Sequence, residues 1–116
     1  MRYKQWTSTE LNKVLHSVVI LKKGLTGNIP AQNAINLINS IETGVQTIAE
    51  RVSLEGDPFK QIMTSEFEKI INNITSIKLG LNAKSITVTN TQRIVNEIET
   101  RLNNINKRVL LERNDF

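Results

Sequence analysis

The sequence predicts an all-α fold, a four-helix antiparallel up-and-down bundle in a single domain covering residues 1–116. Apolar residues recur at alternating steps of four and three positions, as they do in coiled coils and helical bundles. Aromatic residues make up only 4% of the chain, whereas the strands of sandwiches and barrels usually carry more of them. A length of 116 residues leaves room for one domain with a working core. We therefore expect long helices that pack through aliphatic seams.

The clearest of these helices is the second, predicted over residues 30–54. Pro30 suits its first helical position, and Gly56 follows its end. Its seam consists of Ala34, Ile38, Ile41, Val45, Ile48 and Val52. Gly44 interrupts the helix at a cost of about 1 kcal/mol relative to alanine. Because Gly44 lies at the edge of the seam, it could admit a closely approaching neighbour.

The first helix is predicted to be the shortest, over residues 8–23. Thr7 and Glu10 fit a capping box at its start, and Trp6 is placed to staple the first turn. Gly24 can take the left-handed position that follows a helix. A short first helix would leave one end of the other three bare, and a second chain could complete the bundle there.

The third and fourth helices are predicted over residues 58–79 and 88–112, with Gly80 ending the third. The alternating stretch 85–89 is interpreted as a connector, because a lone strand without a partner cannot satisfy its backbone groups. Thr89 and Gln92 make an alternative capping box for the fourth helix. The two seams are Phe59, Met63, Phe67, Ile70, Ile74 and Ile77, and Val95, Ile98, Leu102, Ile105 and Val109.

Residues that perform chemistry are scarce, so we expect neither an enzyme nor a cofactor or metal site. The chain has no cysteine and one histidine, His16, which falls on a polar face of its helix. Glu42 and Glu99 each fall beside a seam and could form an acid and base pair. The preferred interpretation is that they pair with basic residues of a neighbouring helix, for which Lys60 and Lys78 are placed.

Neither secretion nor a membrane is expected from the sequence. The apolar run at residues 14–21 is broken by polar residues, which excludes a signal peptide, and no run approaches the ~20 residues of a membrane span. The absence of cysteine fits a reducing compartment. We therefore expect a cytoplasmic protein.

The leading functional hypothesis is a non-enzymatic protein-interaction or oligomerisation module, acting as an adaptor, regulator, chaperone-like protein or inhibitor. Val19 and Ile20 point away from the seam of the first helix, and Leu111 is exposed at the end of the fourth. Either the other helices enclose Val19 and Ile20, or a second chain covers them. The partner would be another copy of this chain or another helical protein.

The alternative hypothesis is a small basic nucleic-acid-binding accessory protein of phage or mobile-element type. The formal net charge is +4, and both ends of the chain are basic: residues 1–28 hold five Lys or Arg against one Glu. Such charges either pair with acidic helices inside the bundle or contact phosphate groups. The candidate phosphate contacts are Lys22, Lys23, Arg93, Arg101, Lys107 and Arg108.

Overall fold

A computed structural model describes residues 3–27, 29–52, 59–82 and 87–111. Four helices account for nearly all of them: α1 (Tyr3–Thr26), α2 (Ala31–Val52), α3 (Phe59–Asn82) and α4 (Val88–Leu111). These ranges contain no strand. The structure therefore confirms the all-α fold.

The helices form a closed ring in which each contacts two others: α1 with α2 and α4, and α3 with α2 and α4. The bundle is elongated, with principal extents of 44 × 20 × 18 Å. Two contacts show that α1 and α4 are antiparallel. Ser8, near the start of α1, contacts Asn106 near the end of α4, whereas Lys22, near the end of α1, contacts the earlier Glu99. The up-and-down arrangement is thus as predicted.

The seams meet in one apolar core along the bundle axis. The buried core residues are Leu11, Val14, Val18, Leu21 and Leu25 of α1; Ala34, Ile38, Ile41, Val45 and Ile48 of α2; Phe67, Ile70, Ile74 and Ile77 of α3; and Val95, Ile98, Leu102, Ile105 and Val109 of α4. The predicted seam residues Val52, Phe59 and Met63 have side chains outside the described set. Burying this aliphatic surface is what holds the helices together, because burial of one such side chain contributes about 1.5–3 kcal/mol.

The prediction of a short first helix is wrong. α1 begins at Tyr3 and has 24 residues, as many as α3 and α4. Thr7 therefore lies inside the helix, fully buried, and does not act as its cap. The helix also runs past Gly24 to Thr26, and the amides of Gly27 and Ile29 both donate to the Gly24 carbonyl. The expected bare end of the bundle does not exist at α1.

Two other helix ends differ from the prediction. Gly80 does not end α3, which continues to Asn82 with Leu81 packed against the core. α4 begins at Val88 as expected, but its cap is Thr87, whose Oγ1 accepts a hydrogen bond from the Asn90 amide at 3.1 Å. The predicted capping box at Thr89 is therefore wrong. The expected end of α2 near Gly56 and the start of the connector at residue 85 fall outside the described residues.

Gly44 provides the close approach that its position in the seam suggested. A Cβ atom built on Gly44 would lie 2.5 Å from Cγ2 of Val14 in α1. No real Cβ atom tolerates such a distance without a shift of its neighbour. Glycine is therefore part of the α1–α2 packing, despite its cost to the helix.

Candidate functional site

The side chains predicted as a protein interface are exposed. Val19 and Ile20 are 37% and 43% exposed, and Leu111 is 77% exposed. The interpretation that other helices enclose Val19 and Ile20 is wrong, because α2 and α4 pack on α1 without covering them. The structure leaves the second interpretation, a covering chain, as a proposal.

Sequence reasoning missed three further exposed apolar residues, Leu79, Val88 and Leu110. Their positions off the heptad seams of α3 and α4 would have identified them. Because adjacent helices are antiparallel, Leu79 and Val88 lie at one end of the bundle, and Leu110 lies at the other with Leu111. Val19 and Ile20 lie between these ends, so the exposed apolar residues do not merge into one patch.

Three of the six candidate phosphate contacts are engaged with carboxylates. Lys22 Nζ lies 2.8 Å from Glu99 Oε1, which links α1 to α4. Arg101 Nη1 lies 3.5 Å from Glu66 Oε2, which links α4 to α3. Within α4, Arg93 pairs with Glu97 one turn away at 3.4 Å. Two of these three pairs, those of Lys22 and Arg101, thus join neighbouring helices of the bundle, whereas the Arg93 pair lies on the exposed surface of α4.

The other three candidates, Lys23, Lys107 and Arg108, are exposed. Over the described parts of the chain none of them has a carboxylate within ion-pair distance. Lys23 lies in the last turn of α1, and Lys107 and Arg108 lie near the end of α4. Of the six candidates, these three remain free to contact an external anion.

The two carboxylates beside the seams bind lysines, as the sequence interpretation favoured. Lys78 Nζ of α3 lies 2.9 Å from Glu42 Oε1 of α2. Glu99 pairs with Lys22 of α1 and not with a residue of α3, which corrects the expected partner. The side chain of Lys60, the other expected partner, is outside the described set. The Glu42 pair thus joins α2 to α3, and the Glu99 pair joins α4 to α1. Both ion pairs contribute to the packing between helices.

A small polar network at the α1–α4 contact was not predicted. Ser8 Oγ donates to Asn106 Oδ1 at 2.9 Å, and Asn106 Nδ2 donates to Asn12 Oδ1 at 3.2 Å. Asn106 follows the core residue Ile105 and so lies on the flank of the α4 seam. That position is the sequence signal that could have indicated a contact with α1. The network links the start of α1 to the end of α4.

A metal site would need a cluster of suitable side chains among the described residues. Within the four described ranges no three His, Asp or Glu side chains gather closely enough to hold a metal ion. His16 is exposed on α1. A shallow groove follows the outer surface of α4 beside Glu66 of α3, and polar residues line it, with Asn96, Thr100 and Asn104 among them. None of the helices, as far as they are described, combines the length and apolar character needed to cross a bilayer.

Comparisons of the sequence and fold with protein-family models, curated proteins and solved structures find no match.

Proposed function

We propose that this chain is a non-enzymatic helical interaction module of the cytoplasm, and that its first partner is a second copy of itself. The observation that carries the proposal is the exposure of Ile20 beside Val19 in the second half of α1. In this role the bundle would serve as an adaptor, regulator, chaperone-like protein or inhibitor that acts by packing helix on helix.

Two consecutive exposed β-branched residues differ from the scattered apolar residues that any surface carries. α1 presents its seam to α2 and α4, and Ile20 lies almost opposite that seam at 100° per residue. Nothing in the bundle's own packing requires a large apolar residue there. Covering Ile20 with another helix would add about 1 kcal/mol or more of apolar burial.

The arrangement of the acidic groups supports the same proposal. Glu42, Glu66 and Glu99, the half-buried carboxylates between helices, each contact a basic residue of a neighbouring helix. Carboxylates held in this way link neighbouring helices. What the molecule presents outward is a helical surface, which suits recognition.

The proposal is tested by the substitution Ile20→Asp, which places a charge in the centre of the proposed interface. We expect the mass measured by light scattering to fall towards that of one chain, while helicity measured by circular dichroism is retained. Thr75→Asp is the matched control, because Thr75 is exposed on α3 and lies away from α1. If wild type already has the mass of one chain at high concentration, or if both variants lower the mass equally, self-association through α1 is refuted.

A further inference from the structure

The bundle carries its net charge on one side. α1 and α4 together hold eight Lys and Arg residues and three Glu, whereas α2 and α3 together hold four of each. The basic ends of the sequence are far apart along the chain, but the fold packs α1 directly against α4. We call the outward surface of these two helices the cationic side.

The carboxylates of the cationic side are already neutralised by neighbours. Glu10 pairs with Lys13 at 3.0 Å, Glu97 with Arg93 at 3.4 Å, and Glu99 with Lys22 at 2.8 Å. Among the described side chains of α1 and α4, what remains uncompensated is positive: Lys23, Lys107 and Arg108. On α3, by contrast, the exposed Glu68 has no basic partner within the described residues. Lys23 and Lys107 therefore lie on the outer surface shared by α1 and α4, and Arg108, one heptad after Arg101, lies at the edge of that surface towards α3.

We propose that the cationic side binds the phosphate backbone of duplex DNA. Lysine and arginine that release counterions from phosphates supply most of the sequence-independent affinity for DNA. Exposed amides accompany them, since Asn12, Asn96 and Asn103 lie on the same two helices. Asparagine side chains donate readily to phosphate and sugar oxygens. The surface thus combines the charges and the neutral donors that a backbone contact uses.

The spacing of the free cations suits a rod laid along a duplex. Lys107 follows Asn106, which contacts Ser8, so Lys107 lies level with the start of α1. From that level to Lys23 is about 22 Å at 1.5 Å per residue. On one DNA strand this distance corresponds to roughly six phosphates at 3.4 Å each. The free cations can therefore contact separate phosphates at the same time.

Duplex DNA fits this surface better than single strands or a bilayer. Single-strand binding relies on exposed aromatic rings, and the described side chains of α1 and α4 include one aromatic residue, Trp6, which is half-buried. Helices that lie in a membrane interface present a broad apolar face beneath their lysines. Around Lys107 the exposed residues of α4 are Asn103 and Asn104 on one side and Leu110 and Leu111 on the other, so the apolar residues form a small patch and not a broad face.

The experiment measures binding of wild type to a labelled mixed-sequence DNA duplex of about three helical turns by fluorescence anisotropy, from about 50 to about 200 mM salt. We expect measurable affinity at the lowest salt and a steep loss as salt rises. The triple variant Lys23→Gln, Lys107→Gln, Arg108→Gln should bind at least about tenfold more weakly. Its slope of log affinity against log salt should be shallower by about 2 to 3, at about 0.9 per phosphate contact.

A matched pair of single variants separates this surface from net charge alone. Lys107→Gln on α4 and Lys69→Gln on α3 each remove one positive charge from an exposed side chain. We expect only Lys107→Gln to weaken binding, with circular dichroism verifying that both variants stay helical. Equal weakening by both, or no binding at the lowest salt, would overturn the proposal. So would tighter binding to single-stranded DNA, or to vesicles containing about one-third phosphatidylserine.

The result of the DNA-binding experiment is independent of the self-association test. Ile20→Asp alters an apolar residue in the second half of α1 and is read out as mass without DNA, whereas the triple variant leaves Val19 and Ile20 intact.

Discussion

Gly44 and Val14 determine how closely α2 approaches α1. Glycine in a helix costs about 1 kcal/mol relative to alanine, so alanine at position 44 would normally stabilise. Here the added Cβ would lie 2.5 Å from Cγ2 of Val14. Overpacking of a core typically costs about 1–3 kcal/mol, which exceeds the gain in helix propensity. The packing term therefore decides the sign.

We expect Gly44→Ala to lower the free energy of unfolding by about 1 kcal/mol in urea denaturation. The control is the same substitution in a Val14→Ala background, where the contacting methyl groups are gone. There Gly44→Ala should raise stability by up to about 1 kcal/mol, as helix propensity predicts. A loss of the same size in both backgrounds would show that Val14 is not the cause.

Ion pairs between helices differ from those on a single helix. Glu99, whose side chain is 25% exposed, lies 2.8 Å from Lys22 on the neighbouring helix. Glu97 is more exposed and 3.4 Å from Arg93 of its own helix. We expect Glu99→Gln to cost about 1 kcal/mol of unfolding free energy and Glu97→Gln less than about 0.5, both measured in urea. Indistinguishable values would mean that Lys22 and Glu99 contribute no more than a surface pair.

At the scale of the helix, the heptad seam decides where α1 begins and ends. Thr7, Leu11, Val14, Val18, Leu21 and Leu25 follow one another at steps of 4, 3, 4, 3 and 4, the spacing of α2. The capping pattern at Thr7 and the glycine at position 24 are local signals that compete with this spacing. Burying a leucine contributes about 1.5–3 kcal/mol, whereas glycine within a helix costs about 1. The helix therefore continues to bury Leu25.

Thr7 offers a direct test of this account, because its fully buried Oγ1 has no hydrogen-bond partner within the described structure. Replacing an unpaired buried hydroxyl with a methyl group removes a desolvation penalty. We expect Thr7→Val to raise the free energy of unfolding by about 1 kcal/mol. If Thr7 were a helix cap, the same change would cost about 0.5–2 kcal/mol. Urea denaturation thus separates the two interpretations by sign.

The control for this substitution is Thr91 in α4, which is equally buried. Its Oγ1 donates to the Thr87 carbonyl at 2.9 Å, so the hydroxyl is satisfied. Thr91→Val should therefore bring no gain in stability, because a hydrogen bond is lost together with the polar group. A gain of equal size at both positions would point to apolar burial alone.

Much of the fold could be predicted because a seam repeats the same apolar signal along a helix. The predictions that failed did so for physical reasons. The seams of α2 and α4 followed from spacing alone, as did the position of Ile20 away from the seam of α1. Single residues such as Gly80 gave wrong helix ends, because the preference of one residue is weaker than the burial of several apolar side chains along the helix. The partner of Glu99 could not be predicted, because spacing does not determine which helix lies beside which. The cationic side could not be predicted for the same reason, because it exists only where α1 packs against α4.

Across the whole molecule, the four seams form one core, so the bundle should unfold as one unit. Trp6, the only tryptophan, reports on the start of α1, whereas circular dichroism at 222 nm reports on all helices. We expect the two probes to give coincident urea transitions. Ile41→Ala in the middle of α2, at a cost of about 2–5 kcal/mol, should move both midpoints equally. Thr43→Ala, at an exposed position two residues away, should move neither. An earlier transition of Trp6 fluorescence in either variant would mean that α1 opens separately, and that one shared core does not bind the four helices together.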